Sequence, residues 1–166
     1  MTNAAARYLE RFPASSSRLR SVLRRKAARA EGDRAELDGL IEEVVVEMES
    51  RGLVDDARYA RGLAASLHDR GLSSRRISME LAKRGVSSEL AGTAVAELLG
   101  SSANADLAAA WTLAKRRRLG PFRGEATREA FRQRDLGVLA RAGFSYALAK
   151  RVIDSDGLDE SEGHDP

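Results

Sequence analysis

Six glycines, at positions 52, 71, 85, 100, 120 and 143, each follow a stretch of helical apolar spacing, and this punctuation restricts the chain more than any other feature. A glycine placed there suits the left-handed residue just past a helix C-terminus, where a Cβ is disfavoured. Polar residues able to accept the first orphan amides of the next helix follow most of these stops: Asp55, Ser73 or Ser74, Ser87, Asn104 and Ser145. Asp33, with Glu36 three residues later, resembles a capping box. The pattern predicts short helices joined by very short turns.

Within the segments the apolar residues recur with helical period. Leu37, Leu40, Ile41, Val44, Val45 and Met48 form one stripe, and Tyr59, Leu63 and Leu67 another. Leu90, Val95 and Leu98 make a third, and Leu107, Trp111 and Ala114 a fourth. These stripes read as core, because a short helix is held mainly by the face it buries. Val44-Val45-Val46 alone would allow a strand, but no partner strand is in sight. Hydrophobic residues make up 43% and aromatics only 5%, a balance dominated by alanine and leucine that favours helices over sheets. The expected fold class is all-α.

A repeat lies under the punctuation. Leu81-Ala82-Lys83-Arg84-Gly85-Val86-Ser87 matches Leu139-Ala140-Arg141-Ala142-Gly143-Phe144-Ser145 at an offset of 58, and the same step backward from Leu81 reaches Leu23. Arg18, Arg76 and Arg134 fall in register, as do Arg25, Lys83 and Arg141. The chain therefore divides into three three-helix repeats, 1–52, 53–100 and 101–153. Units this small bury little surface alone and should stack on their neighbours, so an elongated, curved array is expected.

The 166 residues contain no cysteine and two histidines, His68 and His164. Disulfides, thiolate metal sites, cysteine nucleophiles and a histidine metal cluster are excluded. There is no P-loop and no nucleophile–base constellation, so neither an enzyme nor a cofactor is expected. Leu107 to Ala114, the longest mostly apolar run, falls far short of the ~18 residues of a membrane helix. The N-terminus lacks the basic and apolar regions of an export signal. A cytoplasmic protein without membrane contact is expected.

The formal charge of +3 conceals an asymmetry. Asp154, Asp156, Asp159, Glu160, Glu162 and Asp165 all lie in residues 154–166, which hold no lysine or arginine. The rest carries 28 basic against 19 acidic residues. A strongly basic body with an acidic, disordered tail is expected, the tail serving solubility or competing with acidic partners. Three basic clusters stand out: Arg18, Arg20, Arg24, Arg25, Lys26 and Arg29; Arg70, Arg75, Arg76, Lys83 and Arg84; and Lys115-Arg116-Arg117-Arg118. One such cluster could simply solvate a helix, but three imply an extended acidic partner such as nucleic acid or a nucleoprotein.

The run Leu53-Val54-Asp55-Asp56-Ala57-Arg58-Tyr59-Ala60, continued by Arg75-Arg76-Ile77-Ser78-Met79-Glu80-Leu81-Ala82-Lys83-Arg84-Gly85-Val86, resembles the RecX family of recombination regulators. Leu139 to Ser145, leading to Arg151-Val152-Ile153, is similar to the family's closing Gly-Phe-Ser element. Where the family often has Gly-Pro before the Arg-Arg-Ile helix, this chain has Ser73-Ser74, and Ala142 replaces the second basic residue before Gly143. The resemblance implies a three-helix-repeat modulator of RecA. Such a protein lies in the groove of the RecA filament on single-stranded DNA and inhibits its ATPase, strand-exchange and coprotease activities.

Adjacent Asp55 and Asp56 could be paired catalytic carboxylates, but capping and the helix dipole explain them better. Tyr59 and Trp111 read as core. Arg75, Arg76, Lys83 and Arg84 are candidates for partner contact, against a reading as surface pairs with Glu80 and Glu89. Lys115 to Arg118 suits a helix C-terminus electrostatically, yet four adjacent cations point all round the helix and some should face a partner. The expected interface comprises Arg18, Arg24, Arg25, Arg70, Arg75, Arg76, Lys83, Arg84, Lys115, Arg116, Arg117, Arg118, Arg134, Lys150 and Arg151. Its expected partners are the RecA filament and the phosphates of single- or double-stranded DNA, and a monomer is expected. The rival reading is a stand-alone helical DNA-binding protein.

Overall fold

The computed structural model describes residues 1–28, 33–100 and 104–156. Among them are nine α-helices and no strand: α1 (Thr2–Arg11), α2 (Ser16–Ala27), α3 (Arg34–Ser50), α4 (Asp56–Asp69), α5 (Ser74–Lys83), α6 (Ser88–Leu99), α7 (Ala105–Arg117), α8 (Arg128–Arg141) and α9 (Tyr146–Ile153). Two 3-10 turns, Gly120–Phe122 and Glu125–Thr127, separate α7 from α8. Val44, Val45 and Val46 lie inside α3. None of the described helices is long and apolar enough to cross a membrane.

The caps sit largely where the sequence puts them. Hydroxyls of Ser15, Ser73, Ser87 and Ser145 accept from the backbone N–H three residues on, at 3.1 to 3.2 Å. The Asp55 carboxylate does the same for Arg58 at 2.9 Å, which lowers its pKa. Asp33 accepts from Ala35 N–H at 3.1 Å. Asn104 occupies its N-cap position without a capping side-chain bond.

At the other ends, the amides of Leu53, Leu72, Val86 and Phe144 donate to the carbonyls five residues earlier, Met48, Leu67, Leu81 and Leu139, at 2.9 to 3.2 Å. This is the Schellman closure, with the intervening glycine left-handed. A fifth closure, Leu119 to Ala114, departs from expectation. Its left-handed residue is Arg118 at φ 54°, and Gly120, also left-handed, opens the following 3-10 turn instead of stopping α7. The reason for Gly120 is proximity: a Cβ there would lie 2.8 Å from the Ile153 backbone.

The helices form two compact units, Met1–Ala64 with Ser78–Val95, and Ala65–Ile77 with Ala96–Pro166. Helices α4, α5 and α6 are each divided between them. In the first unit Ala5, Leu19, Leu23, Ile41, Val44, Val45, Met48 and Val54 build a core from α1, α2, α3 and the turn after α3. Leu40, placed in that stripe by its spacing, is half exposed. In the second unit Ala110, Leu113, Leu136, Leu139, Phe144, Val152 and Ile153 pack together, with Trp111 at the edge in a T-shaped contact to Phe122 at 5.8 Å. Each fully buried leucine in these cores is worth about 1.5–3 kcal/mol of hydrophobic transfer.

One polar group is buried among them. Asp135, 1% exposed, stands at the register position that holds Leu19 in α2 and Ile77 in α5. It accepts from Gly120 N–H at 3.0 Å and from Arg123 Nε and Nη2 at 3.0 and 2.8 Å. Arg123 also lies 4.4 Å from the Phe131 ring centroid. The carboxylate is thereby satisfied and fastens the segment after α7 to α8.

Candidate nucleic-acid interface

Within each unit the same device fixes the start of a basic helix. In the first unit Asp56, at the head of α4, accepts from Ser16 N–H and Ser16 Oγ, both at 2.7 Å. In the second unit Asp106, in the first turn of α7, accepts from Ser74 N–H at 2.8 Å and Ser74 Oγ at 3.0 Å. Asp56 therefore does more than cap its own helix: it holds the N-terminus of α2, where an anion is favoured by the helix dipole. Ser16 and Ser74 are 58 residues apart, the offset that separates Leu81 from Leu139.

A glycine turn closes on the same helix start. A Cβ on Gly85 would lie 2.4 Å from Ser17 Oγ, and one on Gly143 would lie 2.3 Å from Ser73 Oγ and 2.6 Å from Arg76 Cβ. Ser15 Oγ donates to the Arg84 carbonyl, and Ser73 N–H to the Ala142 carbonyl at 3.1 Å. Serine pair, aspartate and glycine turn thus rigidify the wall of a groove in each unit.

The groove in the second unit is strongly basic. Arg70, Arg76, Arg116, Arg117 and Arg141 line a volume of about 320 Å³, with Leu72, Leu113, Val138 and Ala142 as its apolar lining, and among the described residues no acidic one lines it. The arginines come from the end of α4 and from α5, α7 and α8. Arg116 donates to the carbonyls of Asp69, at 3.3 Å, and Arg70, where the last carbonyls of α4 carry the negative end of the dipole. Five arginines around one cleft concentrate positive charge there, which favours an anionic occupant. The guanidinium fork matches planar or tetrahedral oxyanions, carboxylate and phosphate alike, through paired hydrogen bonds.

The other expected cations are placed differently. On α2, Arg18 and Arg25 are exposed, while Arg24 meets Asp38 at 2.9 Å and its pKa is raised, chiefly by that hydrogen bond. Neighbouring Arg20 meets Glu42 at 2.8 Å, so α3 neutralises part of this cluster. Arg29 lies outside the described residues. Lys83 pairs with Glu80 at 3.1 Å, in line with the surface-pair alternative, and Arg84 is exposed beside a second groove in the first unit. Arg75, Lys115, Arg118, Lys150 and Arg151 are exposed on the second unit, and Arg134 lies 5.7 Å from the Phe131 ring centroid. Four of the expected cations, Arg70, Arg76, Arg116 and Arg117, therefore share one cleft with Arg141. The signals for the fifth are its register with Arg25 and Lys83 and its place before the Gly-Phe-Ser turn.

Tyr59 is half-buried, not core, and lines the groove of the first unit. Asp154, the first acid of residues 154–166, caps α9 and forms a paired contact with Arg132, both bonds 2.7 Å; residues 157–166 lie outside the described part. Among the described residues no group of three or more His, Cys, Asp or Glu side chains is arranged to hold a metal.

Residues 55–95 match the family model described as "RecX, second three-helix domain". The chain is 41% identical over 161 residues to the Regulatory protein RecX of Myxococcus xanthus (strain DK1622), covering 94% of this chain and 85% of that protein. No solved structure matches. With that identity sustained over nearly its whole length, the chain belongs to the RecX family of regulatory proteins.

Proposed function

We propose that this RecX-family protein, a regulator of the RecA recombinase, meets the phosphate backbone of single-stranded DNA in the RecA filament through the arginine groove of its second unit. The observation that carries the reading is the convergence of Arg70, Arg76, Arg116, Arg117 and Arg141 on one cleft, with no acidic residue among the described ones in its lining. The polar lining of the groove is arginine alone, whose fork suits bidentate contact to the phosphate oxygens that position a strand. Arg75, Lys115, Arg118, Lys150 and Arg151 add to the positive field of the same unit and steer it toward a polyanion. Held there, the protein suppresses filament ATPase, strand exchange and coprotease activity.

The matching Ser16–Asp56 and Ser74–Asp106 contacts, each beside its own glycine turn, support reading the chain as tandem repeats, 1–52, 53–100 and 101–153. On this reading the groove is a product of the repeat: the device that fixes a helix start also fixes the cations that line it.

A stand-alone DNA-binding protein is the second reading, because five guanidinium groups would grip phosphate in naked DNA as well. Purified protein added at substoichiometric levels to RecA turning over ATP on single-stranded DNA separates the two. A filament regulator suppresses turnover at protein-to-RecA ratios well below one. A simple DNA binder suppresses only near saturation of the strand, and its affinity for oligo(dT) falls with salt at a logarithmic slope of about 3.5 for five phosphate contacts. Turnover unaffected at any ratio would overturn the regulator reading.

A further inference from the structure

The first unit holds a groove that corresponds in position to the arginine groove but differs in chemistry. Ala14, Leu63 and Arg84 line the first, and Leu72, Leu113 and Ala142 line the second. The first and last of these pairs are separated by the repeat step of 58 residues, and the middle pair by the 50 residues that separate Asp56 from Asp106. Ser16–Asp56 and Gly85 frame the first groove as Ser74–Asp106 and Gly143 frame the second.

In place of a ring of arginines, the first groove of about 450 Å³ presents Pro13, Leu53, Tyr59 and Leu63, with Arg58, Arg84 and Asp55 as its charged lining. Leu53 is 47% exposed, which leaves a large apolar side chain in water at the margin. The Asp55 carboxylate is engaged by Arg58 N–H at 2.9 Å, and an Arg58 Nη donates to the Gly52 carbonyl at 3.0 Å. The groove thus offers an apolar slot with one surplus positive charge.

Phosphodiester DNA is a poor occupant, because its charge would lie against leucine, proline and a carboxylate. A protein segment fits both halves of the lining: tyrosine and arginine are the side chains that most often anchor protein contacts, and apolar walls exclude water around them. We infer that the groove of Tyr59, Leu63 and Arg84 receives a segment of the RecA protein that presents a large apolar side chain beside a carboxylate, while the arginine groove receives DNA. The apolar side chain enters between Tyr59 and Leu63, and the carboxylate pairs with Arg84. The inference rests on the regulator reading above and assigns protein and nucleic acid to two corresponding clefts.

The test places a photocrosslinking residue in each groove of the full chain, Leu53→p-benzoylphenylalanine and Arg141→p-benzoylphenylalanine, and irradiates each with RecA filaments formed on oligo(dT). The expected result is an adduct with RecA from position 53 and an adduct with DNA from position 141. Alongside, Tyr59→Ala should raise the concentration for half-suppression of RecA ATPase at least fivefold while its affinity for free oligo(dT) stays within twofold of the parent protein. If the unmodified protein suppresses the ATPase but position 53 gives DNA adducts, or none with RecA, the inference fails and the regulator reading stands. Unchanged potency of Tyr59→Ala also counts against it. If the unmodified protein leaves the ATPase untouched, the regulator reading fails and the inference goes with it.

Discussion

Asp106 holds Ser74 by both carboxylate oxygens, Oδ1 on the amide at 2.8 Å and Oδ2 on the hydroxyl at 3.0 Å. An orphan N–H of the first turn of α5 is satisfied, and a negative charge sits at the positive end of that helix. Hydrogen bonds to a charged group are each worth about 1.5–3 kcal/mol when enclosed, less here because Asp106 and Ser74 are only partly buried. Asp106→Ala should cost about 2 kcal/mol and lower the melting temperature by roughly 4–8 °C. Asp56→Ala, which frees Ser16 in the same way, should cost a similar amount. Thermal unfolding followed by circular dichroism checks both, and a shift below about 1 °C for either would remove the contact from the account.

Two left-handed glycines separate backbone strain from steric overlap. Gly52 has φ 67° and open space around its missing Cβ, whereas Gly143 has φ 99° and would drive a Cβ to 2.3 Å from Ser73 Oγ. Gly52→Ala should lose only the left-handed penalty of about 1–2 kcal/mol. Gly143→Ala should lose clearly more, since Ser73 is fully buried and cannot retreat into solvent. Chemical denaturation midpoints give the comparison, and equal losses would contradict the close docking of the turn on α5.

The Arg132–Asp154 pair gives a pH signature. The guanidinium hydrogen bond holds the Asp154 carboxyl below its ordinary value, with burial opposing it. A carboxylate whose pKa is lower folded than unfolded stabilises the fold fully above the unfolded value, about 3.9, and loses that contribution as pH falls through the folded value. The two side chains are 25% and 33% exposed, so solvent limits the pair to under about 1 kcal/mol. Asp154→Asn should therefore melt slightly lower than the parent at pH 7, with the gap closing below about pH 4. A gap that persists at pH 2 would assign the effect to packing.

The glycine stops and serine caps could be read from the chain because each answers a local demand, a left-handed residue or an orphan amide, that few side chains meet. All six glycines have positive φ, and Ser15, though unremarked in the sequence, caps α2 just as Ser73 caps α5. Partnerships across the chain could not be read. Asp56 looks like a cap for α4, and only the fold carries Ser16 to it. Likewise Lys115, Arg116, Arg117 and Arg118 are equivalent as letters. Folding sends Arg116 and Arg117 into the groove and spends Arg118 on the left-handed end of α7. Arg24 reads as an interface residue until α3 brings Asp38 against it. Tyr59 fits a helical core stripe, but its position on α4 leaves it half-buried at a cleft.

The central claim is that regulation runs through the arginine groove and not through net positive charge. The direct measurement is the concentration that half-suppresses RecA ATPase on single-stranded DNA, compared between two doubly charge-reversed proteins. One carries Arg117→Glu and Arg141→Glu in the groove. The other carries Arg24→Glu and Arg51→Glu, at arginines already paired with Asp38 and Glu47. The groove protein should need at least ten times more to reach half-suppression and the control less than three times more, both remaining helical. Equal loss in the two, or full potency in the groove protein, would contradict the account.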